Sequence, residues 1–82
     1  MDLNPEGALF QKKSVTLHGH KTSVSLEKAF WYALAELAKA QNLSLNQLIR
    51  DIDEKRQGSL ASALRLYALT CALKQSVPQV LN

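Results

Sequence analysis

The sequence is poor in the residues on which covalent cross-links and membrane insertion depend. Cys71 is the single cysteine among 82 residues, so no disulfide can form within the chain. Its place in an apolar stretch predicts a buried, unreactive thiol rather than a nucleophile. No apolar run approaches the length of a membrane span, and the N-terminus lacks the apolar core of a secretory signal. We therefore expect a cytoplasmic protein with no membrane partner.

Groups that could carry out catalysis are also scarce. The sequence shows no nucleophile–base pair, no glycine-rich phosphate loop and no metal-ligand spacing. His18 and His20 lie two residues apart, but no cysteine or carboxylate nearby completes a metal site, so surface histidines are the favoured interpretation. We therefore expect no enzyme, no cofactor and no metal.

The composition is that of one small folded domain. The apolar fraction is 46% and the charged fraction 21%, which is ordinary for a globular protein. A chain of this length buries little surface, and oligomerisation is a common remedy. The net charge is +3, and its basic residues gather before the first predicted helix, at Lys12, Lys13, His18, His20 and Lys21. This patch suits a polyanion, although a solvated basic tail explains the charge equally well.

The N-terminal third predicts one reliable strand. Residues 1–11 show no periodicity and are predicted to be a flexible arm. Apolar and polar residues alternate over 12–17, which is a short strand signal, and again over 21–26, where Val24 and Leu26 share one face. A lone strand leaves its backbone groups unpaired, so we expect it to pair with its copy in a second subunit. An intramolecular hairpin around Gly19 is the alternative.

Two helices should follow the strand. The first is predicted from Leu26 or Glu27 to Gln41, with Ser25 as a possible N-cap and Asn42 as the left-handed residue that ends it. The second opens with a predicted capping box, in which Ser44 and Gln47 cap each other.

A third helix is predicted from Ser59 or Ser62 to about Gln75, and Pro78 prevents much extension. It carries two apolar stripes, one through Leu60, Leu64, Tyr67 and Cys71, and the other through Leu66, Leu69 and Leu73. Because a helix that is apolar on two sides must be buried on two sides, we expect a further partner surface there. The predicted domain spans 12–77, and 78–82 form a tail.

The sequence resembles a known family over residues 12–69. The strand x-Val24-x-Leu26, the helix after it and the segment NLSLNQLIR at 42–50 resemble the ribbon-helix-helix family, which includes the Arc and Met repressors. The longer string KKSVTLHGHKTSVSLEKAFW, with LSLNQLIRDID and LASALR, is more narrowly similar to a bacterial subfamily of predicted ribbon-helix-helix DNA-binding proteins.

The resemblance implies a fold and a partner. The implied fold is mainly α with one short strand: a homodimer whose two strands form an antiparallel intersubunit ribbon, plus an added C-terminal helix. The implied partner is double-stranded DNA, because the ribbon of this family enters the major groove. Higher assembly of dimers on adjacent half-sites is compatible with the resemblance. The implied dimer core consists of Val24, Leu26, Phe30, Leu34, Leu48, Ile49 and Ile52.

The resemblance also implies which residues touch DNA. The outward residues of the strand, Lys21, Ser23 and Ser25, are expected to meet base edges. Phosphates are expected at the start of the second helix, on Ser44, Leu45 and Asn46, and at Lys13. For Arg50, a structural salt bridge is favoured over a DNA backbone contact.

One departure from the family pattern bears on specificity. Members that read sequence well often carry arginine, asparagine or glutamine on the ribbon, whereas this strand offers one lysine and two serines. We therefore expect weak base specificity. The leading function is a dimeric transcriptional regulator, and the alternative is an antitoxin-like or adaptor dimer that binds a protein through the apolar third helix.

Overall fold

The computed structural model of the protein describes residues 5–76. The chain forms a 3-10 turn at Pro5–Ala8, strands β1 (Phe10–Leu17) and β2 (His20–Glu27), and helices α1 (Lys28–Ala40), α2 (Leu45–Lys55) and α3 (Leu60–Ser76). β1 therefore includes the last two residues of the predicted flexible arm. The first four residues of that arm and the predicted tail lie outside the described residues.

The two strands form a hairpin within one chain. They pair antiparallel from Leu17 opposite His20 to Phe10 opposite Glu27. The turn has two residues, His18 and Gly19, with φ angles of 53° and 79°, and two left-handed residues in succession match the right-handed twist of hairpin strands. The prediction of a single strand is therefore wrong, and the alternative hairpin around Gly19 is confirmed.

The hairpin buries one of its faces against the helices. Val15 and Leu17 of β1 and Val24 and Leu26 of β2 are all buried, and they alternate with exposed polar residues. Of the predicted dimer core, Val24, Leu26, Leu34, Leu48, Ile49 and Ile52 are buried and Phe30 is half-buried, all within a single chain. These residues are therefore packed within one chain.

Helix α1 starts later than expected and ends as expected. Glu27, not Ser25, occupies the N-cap position and makes no side-chain capping bond, because Ser25 is still part of β2. At the other end Asn42 has a φ of 59°. The N–H of Leu43 donates to the carbonyl of Ala38 at 2.9 Å, which is the 6→1 bond of a Schellman motif.

Helix α2 has half of its predicted capping box. The Ser44 hydroxyl accepts a hydrogen bond from the Gln47 backbone N–H at 3.0 Å. The side chain of Gln47 does not return to Ser44; it donates to Asp51 one turn later at 2.9 Å. Ser44 therefore caps the helix, whereas the Gln47 side chain makes a hydrogen bond within the helix instead of completing the capping box.

Helix α3 buries one side and exposes the other. Ser59 caps it by accepting from the Ser62 N–H at 3.1 Å, and Leu60 and Leu64 are buried, whereas Cys71, predicted to be buried, is half-buried. The second predicted stripe lies in solvent in the single chain: Leu66 is 61% exposed, Leu69 51% and Leu73 53%. None of the helices described within 5–76 has the length and apolarity needed to cross a bilayer.

Candidate nucleic-acid interface

The face of the hairpin that turns away from the helices is polar and exposed. Here it is called the outer face. β2 contributes Lys21, Ser23 and Ser25, as the sequence predicted. The strand register sets a β1 residue beside each of them, pairing Lys12 with Ser25, Ser14 with Ser23 and Thr16 with Lys21. All six of these side chains are exposed.

The outer face combines positive charge with hydroxyl groups. These six residues supply two ammonium groups and four hydroxyls, and the Phe10–Glu27 pair at the open end of the same face adds an exposed aromatic ring and a carboxylate that is paired with Arg65. The sequence contains no aspartate or glutamate between Glu6 and Glu27, so no acid of the hairpin interior offsets the lysines. A cationic surface rich in hydroxyl donors and acceptors suits a polyanion that also carries hydrogen-bonding edges.

Half of this face was missed by the sequence prediction. Lys12, Ser14 and Thr16 were not assigned to the interface, because β1 was judged too short to be a reliable strand. A signal was present: KKSVTL at 12–17 is followed nine positions later by KTSVSL at 21–26. The two segments agree at lysine, serine, valine and leucine, which indicates two strands of the same design.

A side chain of α2 binds the outer edge of β1. The amide oxygen of Asn46 accepts from the Thr16 backbone N–H at 2.8 Å, and the amide nitrogen donates to the Thr16 carbonyl at 2.9 Å. Asn46 thus makes the same pair of bonds that a neighbouring strand would make. These bonds fix the hairpin to the start of α2.

Other contacts hold both ends of the hairpin on the helices. Near the open end, the indole N–H of Trp31 donates to the Gln11 carbonyl at 2.8 Å. At the turn, Nε2 of His18 lies 3.4 Å from a carboxylate oxygen of Asp53. The outer face is therefore carried on a hairpin that is anchored near its open end and at its turn.

An ion pair joins the end of β2 to α3. The guanidinium of Arg65 donates to the Glu27 carboxylate at 2.9 Å and also lies 5.9 Å from the centre of the Phe10 ring. The pKa of Glu27 lies below its ordinary value of 4.5, first because a backbone hydrogen bond favours the carboxylate and then because of Arg65, while desolvation opposes both.

The predicted phosphate-binding residues are found in three different settings. Ser44 and Leu45 lie at the start of α2, where the first N–H groups have no acceptor within the helix. Asn46 adjoins them, but its side chain is committed to Thr16. Lys13 lies on the inner side of the hairpin, and its ammonium is 5.7 Å from the centre of the Trp31 ring. The expected salt bridge of Arg50 is not found within residues 5–76, where that side chain is exposed.

Within the described part of the chain, no three histidine, cysteine, aspartate or glutamate side chains come together as a metal site would require. His18 and His20 are both exposed, and His18 faces Asp53 rather than His20.

Comparisons with known proteins agree with the geometry. A family model described as a ribbon-helix-helix domain matches residues 10–72. The fold is similar to that of a solved structure, an uncharacterized protein from Bordetella pertussis Tohama I. The TM-score is 0.79 with 29% sequence identity, over 93% of this chain and 68% of that one. A search of curated proteins found no match. The family match covers the hairpin and nearly all of the three helices, and the chain therefore belongs to the ribbon-helix-helix family.

Proposed function

We propose that this protein is a DNA-binding transcriptional regulator whose outer face enters the major groove. The observation that carries the proposal is the composition of that face, where three neighbouring strand pairs supply two lysines and four hydroxyls, all exposed, and no acid among them. Ribbon-helix-helix domains are characteristic of DNA-binding regulators, and the match covers the hairpin that carries these residues. For a bacterial protein of this kind the working compartment would be the cytoplasm.

Each group has a chemical role in this proposal. The ammonium of Lys21 donates to O6 and N7 of guanine, while the hydroxyls of Ser23 and Ser25 donate to or accept from base edges. In the first turn of α2, the backbone N–H groups of Leu45 and Asn46 and the positive end of the helix dipole attract an anion. In this proposal they bind a DNA phosphate beside Ser44. Phosphate binding by Lys13 stays a prediction. The position of Lys13 on the inner side of the hairpin does not support it.

The homodimer stays a prediction, and the argument for it from an unpaired strand no longer applies. Intersubunit strand pairing was expected because β2 lacked a partner in its own chain, and β1 now supplies that partner. The exposed leucines of α3 are an observation that favours a second candidate function, the binding of a protein through Leu66, Leu69 and Leu73.

The test is binding of purified protein to duplex DNA across a salt series, with and without the double substitution of Lys21→Gln and Ser23→Ala. Wild-type affinity should fall steeply with salt, because bound phosphates release counterions. The double variant should keep its fold and lose roughly tenfold to a hundredfold in affinity, the usual effect of removing one good base contact.

A matched control removes a lysine and a serine from the helices, through Lys55→Gln and Ser62→Ala, two residues exposed outside the hairpin. This variant has the same net charge as the double variant and should bind DNA as the wild type does. Equal losses in both variants would refute readout by the outer face. Absence of salt-dependent binding in the wild type, together with a stoichiometric protein partner, would favour the second candidate function.

A further inference from the structure

Helix α3 carries a row of leucines that the rest of the described chain does not cover. Leu66, Leu69 and Leu73 are 61%, 51% and 53% exposed, whereas Leu64 and Ala68 on the other side of the same helix are buried. These three side chains are called the leucine row here. Large apolar side chains grouped in solvent on one helix face indicate a surface that another molecule covers.

The spacing of the leucine row is typical of a helix that packs along a second helix. Its members follow one another at intervals of three and four residues, which is the spacing of the apolar seam between two paired helices. At 1.5 Å per residue, the row from Leu66 to Leu73 is about 10 Å long. It occupies the central part of a helix of 17 residues. The row therefore fits a helix as its partner.

The surroundings of the leucine row offer little charge to a partner. α3 contains no aspartate or glutamate, and its basic residues are Arg65 and Lys74. The Arg65 guanidinium is already bound to the Glu27 carboxylate at 2.9 Å. Thr70 and Ala72, which are exposed beside the row, are neutral. A strongly charged partner would lose its hydration there without gaining ion pairs, so the row favours a partner helix that is itself apolar and uncharged.

We infer that the leucine row is a self-association surface, at which α3 of one copy packs antiparallel on α3 of a second copy. A two-fold axis beside Leu69 places Leu66 of each copy against Leu73 of the other, because these two leucines lie three and four residues on either side of it. The row therefore matches itself, as a contact between identical surfaces requires. Antiparallel packing also brings the opposite ends of the two helix dipoles together, whereas a parallel pair would bring like ends together.

A groove beside the leucine row provides room for the side chains of the second helix. It lies between α2, α3 and the end of α1, and its volume is about 520 Å³. Its apolar lining includes Leu48 and Ile52 of α2 and Ala63, Leu66 and Tyr67 of α3. Leu66 thus belongs both to the row and to the wall of the groove. A leucine of the second copy can therefore pack between two helices instead of resting on one.

The α3 contact is separate from the dimer contact that the family resemblance implies. Ribbon-helix-helix domains generally bind DNA as dimers, and the resemblance places that contact on the strands, whereas the leucine row lies on α3. The two surfaces can be used together, and copies then assemble beyond the dimer. The row and the groove contain fewer residues than the about 20–30 per side of a stable interface, so we expect an affinity in the micromolar range.

The test is sedimentation equilibrium of the full-length protein without DNA, from micromolar to millimolar concentration, for the wild type and Leu69→Gln. Glutamine favours a helix and carries no charge, so the fold and the net charge are kept. The wild type should form the larger assembly, and Leu69→Gln should weaken that association by roughly tenfold to a hundredfold, because a two-fold contact loses the leucine twice. The matched control is Tyr32→Gln, which removes a side chain that is 70% exposed on α1, and it should associate as the wild type does.

Cross-linking measures the orientation of the two helices. In a Cys71→Ser background, the single variants Leu66→Cys and Leu73→Cys are mixed and treated with a mild oxidant. Antiparallel packing predicts a disulfide between the two different variants, whereas self-linked products alone would overturn the antiparallel arrangement, because a disulfide needs its Cα atoms within about 7 Å. Equal weakening by Leu69→Gln and Tyr32→Gln, or a wild type whose assembly does not change with concentration and equals that of Leu69→Gln, would overturn self-association through α3.

Discussion

The two faces of the hairpin are built from the same eight-residue strands and perform opposite tasks. The inner face carries Val15, Leu17, Val24 and Leu26, all buried, whereas the outer face carries lysine and hydroxyl residues, all exposed. Adjacent residues along one strand therefore differ completely in environment. The inner face is determined by folding, whereas the six exposed residues of the outer face are available for binding.

The largest expected effect comes from a substitution on the inner face. Leu26→Ala removes a side chain that is 0% exposed, so it should lower the free energy of unfolding by about 3 kcal/mol, through lost transfer energy and the cavity left behind. Ser25→Ala, one residue earlier on the outer face, should change it by less than about 0.5 kcal/mol. Urea unfolding of both variants measures the contrast, and similar losses at the two positions would show that the faces are not distinct.

An intermediate effect is expected where the hairpin meets α2. Asn46→Ala removes both bonds to Thr16 and should cost about 1–2 kcal/mol, since each net hydrogen bond contributes roughly 1 kcal/mol. Asn46→Asp keeps the acceptor for the Thr16 N–H but sets a carboxylate oxygen against the Thr16 carbonyl, so it should not restore the lost stability. Hydrogen exchange at the Thr16 amide should accelerate in the alanine variant, and an unchanged exchange rate would show that the amide is protected by another group.

The smallest effect is expected at the end of β2, and it depends on pH. Because the pKa of Glu27 is lowered in the folded chain, the carboxylate stabilises the fold above about pH 4.5, and this contribution is lost as the pH falls through the folded-state pKa. Glu27→Gln should therefore be less stable than the wild type at pH 7, and the difference should shrink as the pH is lowered below 4.5, as measured by denaturant unfolding.

Arg65 provides the comparison for that measurement. The backbone hydrogen bond is the first cause of the lowered pKa and Arg65 a lesser one, so Arg65→Met should reduce the pH-dependent difference without abolishing it. A Glu27→Gln variant that loses the same stability at pH 7 and at pH 3 would contradict a role for the charge.

The helices could be predicted from the sequence because their signals are local. Ser44 and Asn42 acted as the cap and the terminator that their residue types favour, and both roles are seen in the hydrogen bonds of α2 and α1. The start of α1 was misplaced because Ser25, a good cap by type, is held in β2 by pairing with Lys12. Tertiary pairing overrode the local preference there.

The hairpin was harder to predict because its evidence is not local to either strand. The alternation of 12–17 is a short signal when read alone, and Lys13 places a charge on the inner side of the strand. Only the comparison of 12–17 with 21–26 shows that both segments follow one pattern. The candidate site was therefore found on β2, where the alternation is clear, and was missed on β1.

The location of both strands on one chain has an evolutionary consequence. In a ribbon assembled from two identical subunits, every substitution occurs twice, so its surface stays symmetric however it diverges. In this hairpin each strand is encoded separately, and a change at Thr16 leaves Ser25 as it is. The two strands can thus vary independently, and they already differ where Thr16 of the first segment corresponds to Ser25 of the second.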